Sequence, residues 1–203
     1  IKNYLNNHMR IVFNGDGYSQ DWQEEAKRRG LPNRTNTVDA IAHFIDKKNV
    51  EMLSSLGVFT KEELYSRYEV LLEGYTKTIH VEALTSLKMV KNEIYPAVIK
   101  YMHLLTQTAN ELKTAGVDNE FLVDDLIEFT KLCKEMKSSI RKLEIAVYHF
   151  DTTSSDIMDK AMISRDEIFT SMNELRVIVD RLETKVDAKM WPIPTYIDLM
   201  FGN

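Results

Sequence analysis

The five histidines are the first residues to test for metal chemistry, because helical bundles can hold di-iron sites. Such a site needs a glutamate three positions before a histidine, and the residues at that position are Leu5, Ala40, Lys77, Lys100 and Ala146. None is a carboxylate, so this site is excluded. Asp39 and His43 lie four apart, where they could share a metal ion or form an ion pair, but a surface hydrogen bond is the favoured interpretation. One cysteine and no His-x-x-x-His spacing argue against a structural zinc site.

The turn Asn14-Gly-Asp-Gly17 follows a strand-like run and precedes a helix, so it could hold a phosphate at the helix N-terminus. It lacks the third glycine and the lysine of phosphate-binding motifs. Asn14, Asp16 and Glu25 also have the spacing of calcium ligands. However, Tyr18 and Ser19 occupy the fifth and sixth positions, where a calcium loop has a ligand and a glycine. A plain connection is therefore the favoured interpretation.

Cys133 is the only cysteine, and no histidine lies within one helical turn of it. Nothing in the sequence therefore predicts a reactive thiolate, and the position of Cys133 on an apolar stripe predicts a core residue. A single cysteine excludes an internal disulfide and favours a reducing compartment, so we expect a cytoplasmic location. We predict no catalytic, cofactor-binding or metal-binding residue in this chain.

The elements that would have to position a site are long helices. Apolar residues recur every three or four positions in a heptad pattern at Leu122, Leu126, Phe129, Cys133, Met136, Ile140, Leu143, Val147 and Phe150. A helix over about 155–189 has a wider apolar stripe, which implies contact with two neighbours. A helix that begins at the capping box Thr60-Lys-Glu-Glu63 should run to about Ala115, where Gly116 ends it, with a kink at Pro96.

These helices predict an all-α fold: an antiparallel bundle of three long coiled-coil-like helices, with shorter N-terminal helices and one short strand-like segment. That segment is Arg10-Ile-Val-Phe13. Ser19 and Asn49 are the candidate caps of the short helices, and Gly30 is a stop signal.

The composition is that of a folded protein, with 203 residues, 44% hydrophobic and 28% charged, and a net charge of −5. No basic stripe is present, which argues against nucleic acid as a partner. No apolar run is long enough to cross a bilayer, so we expect no membrane partner. The chain begins at Ile1 in what reads as a helix, and we expect it to be part of a longer protein.

Several ordered segments resemble type III glutamine synthetases, the long bacterial form of that enzyme. They are Phe13-Asn-Gly-Asp-Gly-Tyr-Ser19, Arg29-Gly-Leu-Pro-Asn33, Gly57-Val-Phe-Thr-Lys-Glu-Glu-Leu64, Ser66-Arg-Tyr-Glu69, Lys77-Thr-Ile79, Glu82-Ala-Leu84, Glu93-Ile-Tyr-Pro-Ala-Val-Ile-Lys-Tyr101 and Met190-Trp-Pro-Ile-Pro-Thr-Tyr196. The resemblance covers the chain from about residue 10 to its end. The heptad helix contributes least to it.

The resemblance implies a parent enzyme that joins glutamate and ammonia with ATP, uses Mg²⁺ or Mn²⁺ and assembles into large ring-shaped homo-oligomers. The family's catalytic motifs lie upstream of this segment, so the fragment alone is predicted to be inactive and to hold no cofactor. Residues 1–36 would be the end of the catalytic domain or its connection, and residues 37–203 the C-terminal helical bundle. The expected partners are that catalytic domain and neighbouring subunits, and the expected role is assembly or regulation.

The segment from Trp191 to Tyr196 is a candidate docking strip, because its aromatic residues and prolines form a stiff extended stretch. Its members Trp191, Pro192, Pro194 and Tyr196 would contact another domain or subunit, or pack on this chain's own helices. Two other functions stay open: a stand-alone coiled-coil adaptor that binds a partner helix, and a small enzyme that uses the Asn14–Ser19 loop.

Overall fold

The computed structural model describes residues 1–9, 12–153, 156–194 and 196–202, although the side chains of residues 196 and 197 are not described. Within these ranges the regular structure is entirely helical, so the predicted all-α class is confirmed. The chain divides into two compact units, Ile1–Tyr65 and Ser66–Asn203. The predicted boundary after residue 36 concerns the longer protein and stays a prediction.

The first unit consists of short helices. They are α1 at Lys2–His8, α2 at Gln20–Arg28, α3 at Thr37–Ala42 with a 3₁₀ turn at His43–Ile45, and α4 at Lys47–Ser55. The predicted cap of α2 is confirmed, since the Trp22 N–H donates to Ser19 Oγ at 3.3 Å. Gly30 ends that helix with a φ of 74°, a conformation that glycine adopts without steric cost.

Two local predictions in the first unit are wrong. Among the described residues of the strand-like segment, Val12 and Phe13 form no strand, and Arg10 and Ile11 lie outside the described ranges. The Val12 carbonyl accepts a hydrogen bond from the Arg29 guanidinium at 2.6 Å. This carbonyl is therefore bonded to a side chain instead of to the backbone of a neighbouring strand. Asn49 is not a cap. It lies inside α4, and its amide donates to the His43 carbonyl at 2.7 Å.

The long helices make up the rest of the chain, and the first of them begins just before the boundary at Tyr65. They are α5 at Lys61–Met89, a π-helical turn at Val90–Ile94, α6 at Tyr95–Thr114, α7 at Glu120–Thr152, α8 at Ile157–Ile163, a second π-helical turn at Ser164–Phe169, α9 at Thr170–Glu183 and α10 at Tyr196–Phe201. Helix α7 packs against α6, α8 and α9. None of the helices within the described ranges is long and apolar enough to cross a membrane.

The start of α5 is the predicted capping box. The Thr60 N–H donates to Glu63 Oε2 at 2.8 Å, and the Glu63 N–H donates to Thr60 Oγ1 at 3.2 Å. These two bonds satisfy backbone donors that the first helical turn leaves free. At the other end of the α5–α6 rod, Gly116 has a φ of 71° and stops α6 as predicted.

Pro96 lies directly after a π-helical turn. The Tyr95 N–H donates to the Val90 carbonyl five residues back, so it bypasses the Lys91 carbonyl. Proline has no N–H to donate, and the wider π turn takes up this interruption without ending the helix. The structure thus has a local change of helix type beside Pro96, and the kink itself stays a prediction.

The heptad stripe of α7 forms much of the core. All of its predicted members are buried except Leu126, which is half-buried. The last long helix is shorter than predicted, because α9 ends at Glu183 instead of near residue 189. At that end the Thr184 hydroxyl donates to the Arg181 carbonyl at 2.9 Å, and the Lys185 and Val186 N–H groups share the Leu182 carbonyl. The residues after Glu183 form turns instead of continuing the helix.

Candidate functional site

The pair Asp39 and His43 was the strongest candidate for a metal site. In the structure, His43 Nδ1 lies 2.7 Å from Asp46 Oδ2, and the Asn36 amide donates to Asp39 Oδ2 at 2.6 Å. These are hydrogen bonds at the ends of short helices. Over the described residues, no group of three or more histidine, cysteine, aspartate or glutamate side chains could hold a metal ion.

Polar groups of the Asn14–Ser19 loop form hydrogen bonds within the turn itself. Asp16 Oδ1 accepts from the Tyr18 N–H at 2.9 Å, and Ser19 Oγ donates to the Asp16 carbonyl at 2.7 Å. A phosphate at this helix N-terminus would meet the Asp16 carboxylate, so the loop does not favour an anion.

Glu25, at the twelfth position of the calcium-like spacing, is held by two arginines. Its carboxylate accepts from both nitrogens of the Arg28 fork at 2.6 and 2.7 Å, and from Arg29. These hydrogen bonds, and the charges behind them, lower the pKa of Glu25 from 4.5 to about 2. Glu25 is therefore a structural carboxylate, with both oxygens already bound.

Arg29 joins several parts of the first unit. Besides its bonds to Glu25 and to the Val12 carbonyl, its guanidinium lies 5.7 Å from the centre of the Trp22 ring. The Trp22 ring in turn packs on Phe13 at 4.8 Å between ring centres. Two of the segments that carry the predicted resemblance, around Phe13 and around Arg29, are thus held together by charge and aromatic packing.

Cys133 lies in the core of the second unit, where only 9% of its surface is exposed. Burial raises the pKa of its thiol above the ordinary value, because the thiolate is poorly solvated there. The thiol is therefore protonated at neutral pH, as expected for a core cysteine.

The candidate docking strip divides into a buried residue and exposed ones. Trp191 is 8% exposed and belongs to the hydrophobic core, whereas Pro192 and Pro194 are exposed. The Trp191 indole N–H is buried and has no hydrogen-bond partner among the described residues. Tyr196 begins α10, but its side chain lies outside the described part of the chain. Whether the strip docks elsewhere stays a prediction.

The sequence reasoning missed an apolar groove between α5 and α9. The groove has a volume of about 520 Å³, and its lining includes Val81, Met89, Phe169 and Val179. Val81 is 61% exposed and Phe169 45%, which is unusual for large apolar side chains that face each other across one groove. The signal in the sequence was that both helices carry an apolar stripe wider than one neighbouring helix can cover.

A second cavity lies where the π turn before Pro96 meets α7. It has a volume of about 670 Å³, and three cations, Lys91, Lys137 and Arg141, line it. The sequence signal was weak: Lys137 and Arg141 are one helical turn apart, but nothing local places Lys91 beside them.

The described part of the chain is thus an all-helical domain with an open apolar groove between α5 and α9. Residues 1–113 match the family model described as the glutamine synthetase C-terminal domain, and the chain belongs to this family. The predicted resemblance is therefore confirmed, and the stand-alone adaptor is not favoured.

Three relatives align with nearly the whole chain. It is 32% identical to a glutamine synthetase of Butyrivibrio fibrisolvens over 100% of its length, and 31% identical to a type-3 glutamine synthetase of Dictyostelium discoideum over 99%. It is 28% identical to a glutamine synthetase of Bacteroides fragilis (strain YCH46) over 94%. The chain spans only 29%, 28% and 27% of the lengths of these relatives.

Proposed function

We propose that this chain is the non-catalytic helical region of a glutamate–ammonia ligase, and that it acts in subunit assembly. Family membership and the open groove between α5 and α9 support this proposal. A groove lined by exposed apolar side chains is costly in water and is covered favourably by a helix of a partner. The occupant we propose is a second copy of the same protein.

The proposed scaffold is the antiparallel three-helix bundle. Its support is the order of the polar side-chain pairs. As the residue number rises along α7, the residue number of the partner falls. The pairs are Glu128 with Lys185, Glu135 with Arg181, Lys142 with Glu174 and His149 with Glu167. The α5–α6 rod follows the same order, since Lys91 pairs with Glu144 and Asn119 bonds to the Ala109 carbonyl.

The ligase reaction itself would belong to an upstream catalytic domain in the cytoplasm, with ATP and Mg²⁺ or Mn²⁺. The described residues do not fit a divalent metal, since no cluster of three or more suitable side chains occurs among them. We therefore assign no catalytic step to this chain.

Contacts to the catalytic domain would come from the first unit. Every residue of α1 is exposed, including the large apolar side chains of Tyr4 and Leu5, with Met9 directly after the helix. One apolar face of a short helix is a plausible contact for a neighbouring domain. The exposed Pro192 and Pro194, with Tyr196, are proposed as a second docking strip.

The test uses the full-length ligase and light scattering coupled to size-exclusion chromatography. Val81→Glu combined with Phe169→Glu places two charges in the groove, and we expect a species of lower mass than the wild-type assembly. The matched control is Ile145→Glu, an equally exposed apolar position on α7 that lies outside the groove. An unchanged mass for the double variant, or the same loss for the control, would reject assembly through this groove.

The adaptor alternative makes a different prediction about the gene. An open reading frame with a ligase domain upstream and in frame rejects the adaptor, and a frame without one rejects the ligase proposal.

A further inference from the structure

The cavity at the π turn before Pro96 differs in charge from the rest of the chain. Its lining carries three cations, Lys91, Lys137 and Arg141, and one carboxylate, Glu144. The chain as a whole has a net charge of −5. A local excess of positive charge on an acidic protein attracts anions to this place on its surface.

Two of the three cations are not neutralised. Lys91 Nζ lies 2.6 Å from Glu144 Oε1, so these two charges compensate each other. Among the described residues, no carboxylate lies within ion-pair distance of Arg141 or Lys137. Lys137 instead lies over the Tyr95 ring, with Nζ 5.9 Å from the ring centre. Two positive groups therefore remain for a ligand.

The helix geometry brings these groups to one wall of the cavity. Lys137 and Arg141 are four residues apart on α7, so they project from the same face about 6 Å from each other. Ser138 adds a hydroxyl from the same helix, and Tyr95 adds a ring from the opposite wall. The buried side chain of Ile140 contributes an apolar surface to the same cavity.

The opposite wall lies at the π turn. The Tyr95 N–H donates to the Val90 carbonyl five residues back, which widens the helix where Lys91 and Tyr95 leave it. Turns of this kind are inserted into α-helices often at functional sites. The volume of about 670 Å³ suits a small molecule.

We propose that this cavity, formed by Lys91, Tyr95, Lys137 and Arg141, binds a small molecule that carries two or more negative charges. Arg141 would bind one carboxylate or phosphate group through its planar fork, and Lys137 a second group as a point charge. The ligand would contact both α7 and the π turn. It would act as an effector by holding these two elements together. The binding site does not rest on the proposed assembly function.

The test is isothermal titration calorimetry on the full 203-residue chain with citrate and with pyrophosphate. Acetate at matched ionic strength is the control for a single charge. We expect one site per chain for at least one polyanion and no saturable binding of acetate. Binding of citrate alone identifies carboxylates as the ligand class, and binding of pyrophosphate alone identifies phosphates.

The variant is Arg141→Gln, which keeps a polar side chain of similar length and removes the charge. We expect it to weaken binding by at least about tenfold, since it removes a charge-assisted bidentate contact. The control is Lys131→Gln on the same helix, about 15 Å away, with an expected change below about twofold. Circular dichroism of Arg141→Gln checks that the variant is folded.

Hexaglutamate is titrated in the same way. Three outcomes overturn the proposal: equal weakening by the two variants, no binding of any of the three polyanions, or binding of hexaglutamate alone. The last outcome would assign the cavity to an acidic protein segment. Light scattering on Arg141→Gln tests whether loss of the binding site also changes the mass of the assembly. The two proposals can fail separately, because the binding site and the α5–α9 groove have separate linings.

Discussion

Lys142 Nζ lies 2.6 and 2.8 Å from the two carboxylate oxygens of Glu174, a residue 32 positions further along the chain. Both side chains are about half exposed, so the pair contributes no more than about 1 kcal/mol to stability. The position of α9 on α7 must therefore depend mainly on burial of the apolar stripe. The ion pairs favour one register of the two helices over others.

The stripe on α7 predicts a strong contrast between neighbouring positions. Leu143 is fully buried, whereas Ile145, two residues later, is 59% exposed. Leu143→Ala should lower the free energy of unfolding by about 2–5 kcal/mol, because it removes buried contacts and leaves a cavity. Ile145→Ala should change it by less than about 0.5 kcal/mol. Urea unfolding followed by circular dichroism measures both, and similar losses would contradict the assigned core.

The capping box at the start of α5 predicts a smaller effect. Thr60→Ala removes the acceptor of the Glu63 N–H and should lower the free energy of unfolding by about 1 kcal/mol. Thr78→Ala is the matched control, since Thr78 is an exposed residue in the interior of the same helix. It should be neutral or slightly stabilising, because alanine is the better helix former. Equal destabilisation by both changes would show that the cap contributes nothing.

We expect the contribution of Glu25 to stability to depend on pH. Its pKa is lowered from 4.5 to about 2 by Arg28 and Arg29, so its contribution is present above pH 4.5 and is lost as the pH falls toward about 2. Glu25→Gln removes this contribution. The melting temperatures of the wild type and of this variant should therefore converge across that window.

Two controls accompany this measurement. Glu24→Gln changes the exposed neighbouring glutamate and should leave the acid dependence of the wild type in place. High salt should reduce the difference between the wild type and Glu25→Gln, because it screens partly exposed charges. A constant difference between their melting temperatures at every pH would show that Glu25 is not the titrating group.

We expect the Cys133 thiol to react only after the protein unfolds. Its burial and raised pKa leave little thiolate available to a reagent at neutral pH. Alkylation with iodoacetamide, followed by mass spectrometry, should be slow in the native protein and fast in urea. Ser66→Cys introduces an exposed thiol on α5 that should react at once without urea. Fast native labelling at Cys133 would contradict its place in the core.

Local signals in the sequence were sufficient for the helix ends that depend on neighbours. Ser19, Thr60 and Glu63 cap helices through bonds that reach three residues along the chain. Gly30 and Gly116 stop helices because both need a positive φ. The α7 stripe was equally clear, since a heptad pattern on one helix fixes which face is buried.

The two errors have different origins: a contact with a distant residue, and an apolar spacing that extends past the end of its helix. The strand-like run was read from β-branched and aromatic residues, but the Val12 carbonyl bonds to Arg29, 17 positions away. The apolar spacing of α9 continues past its end at Glu183, because Val186 is still buried beyond the helix. Neither outcome is visible in a pattern of apolar residues.

The sequence by itself determined the helical class, the stripe that forms the core and the family to which the chain belongs. The tertiary structure decided that Trp191 is buried while Pro192 and Pro194 stay exposed. It also decided that Lys91 lies beside Lys137 and Arg141, some 50 positions away in sequence. Periodicity specifies the buried face of each helix, but which residues meet depends on how two helices align along their length. That alignment is set by side chains far apart in the chain, and no local pattern contains it.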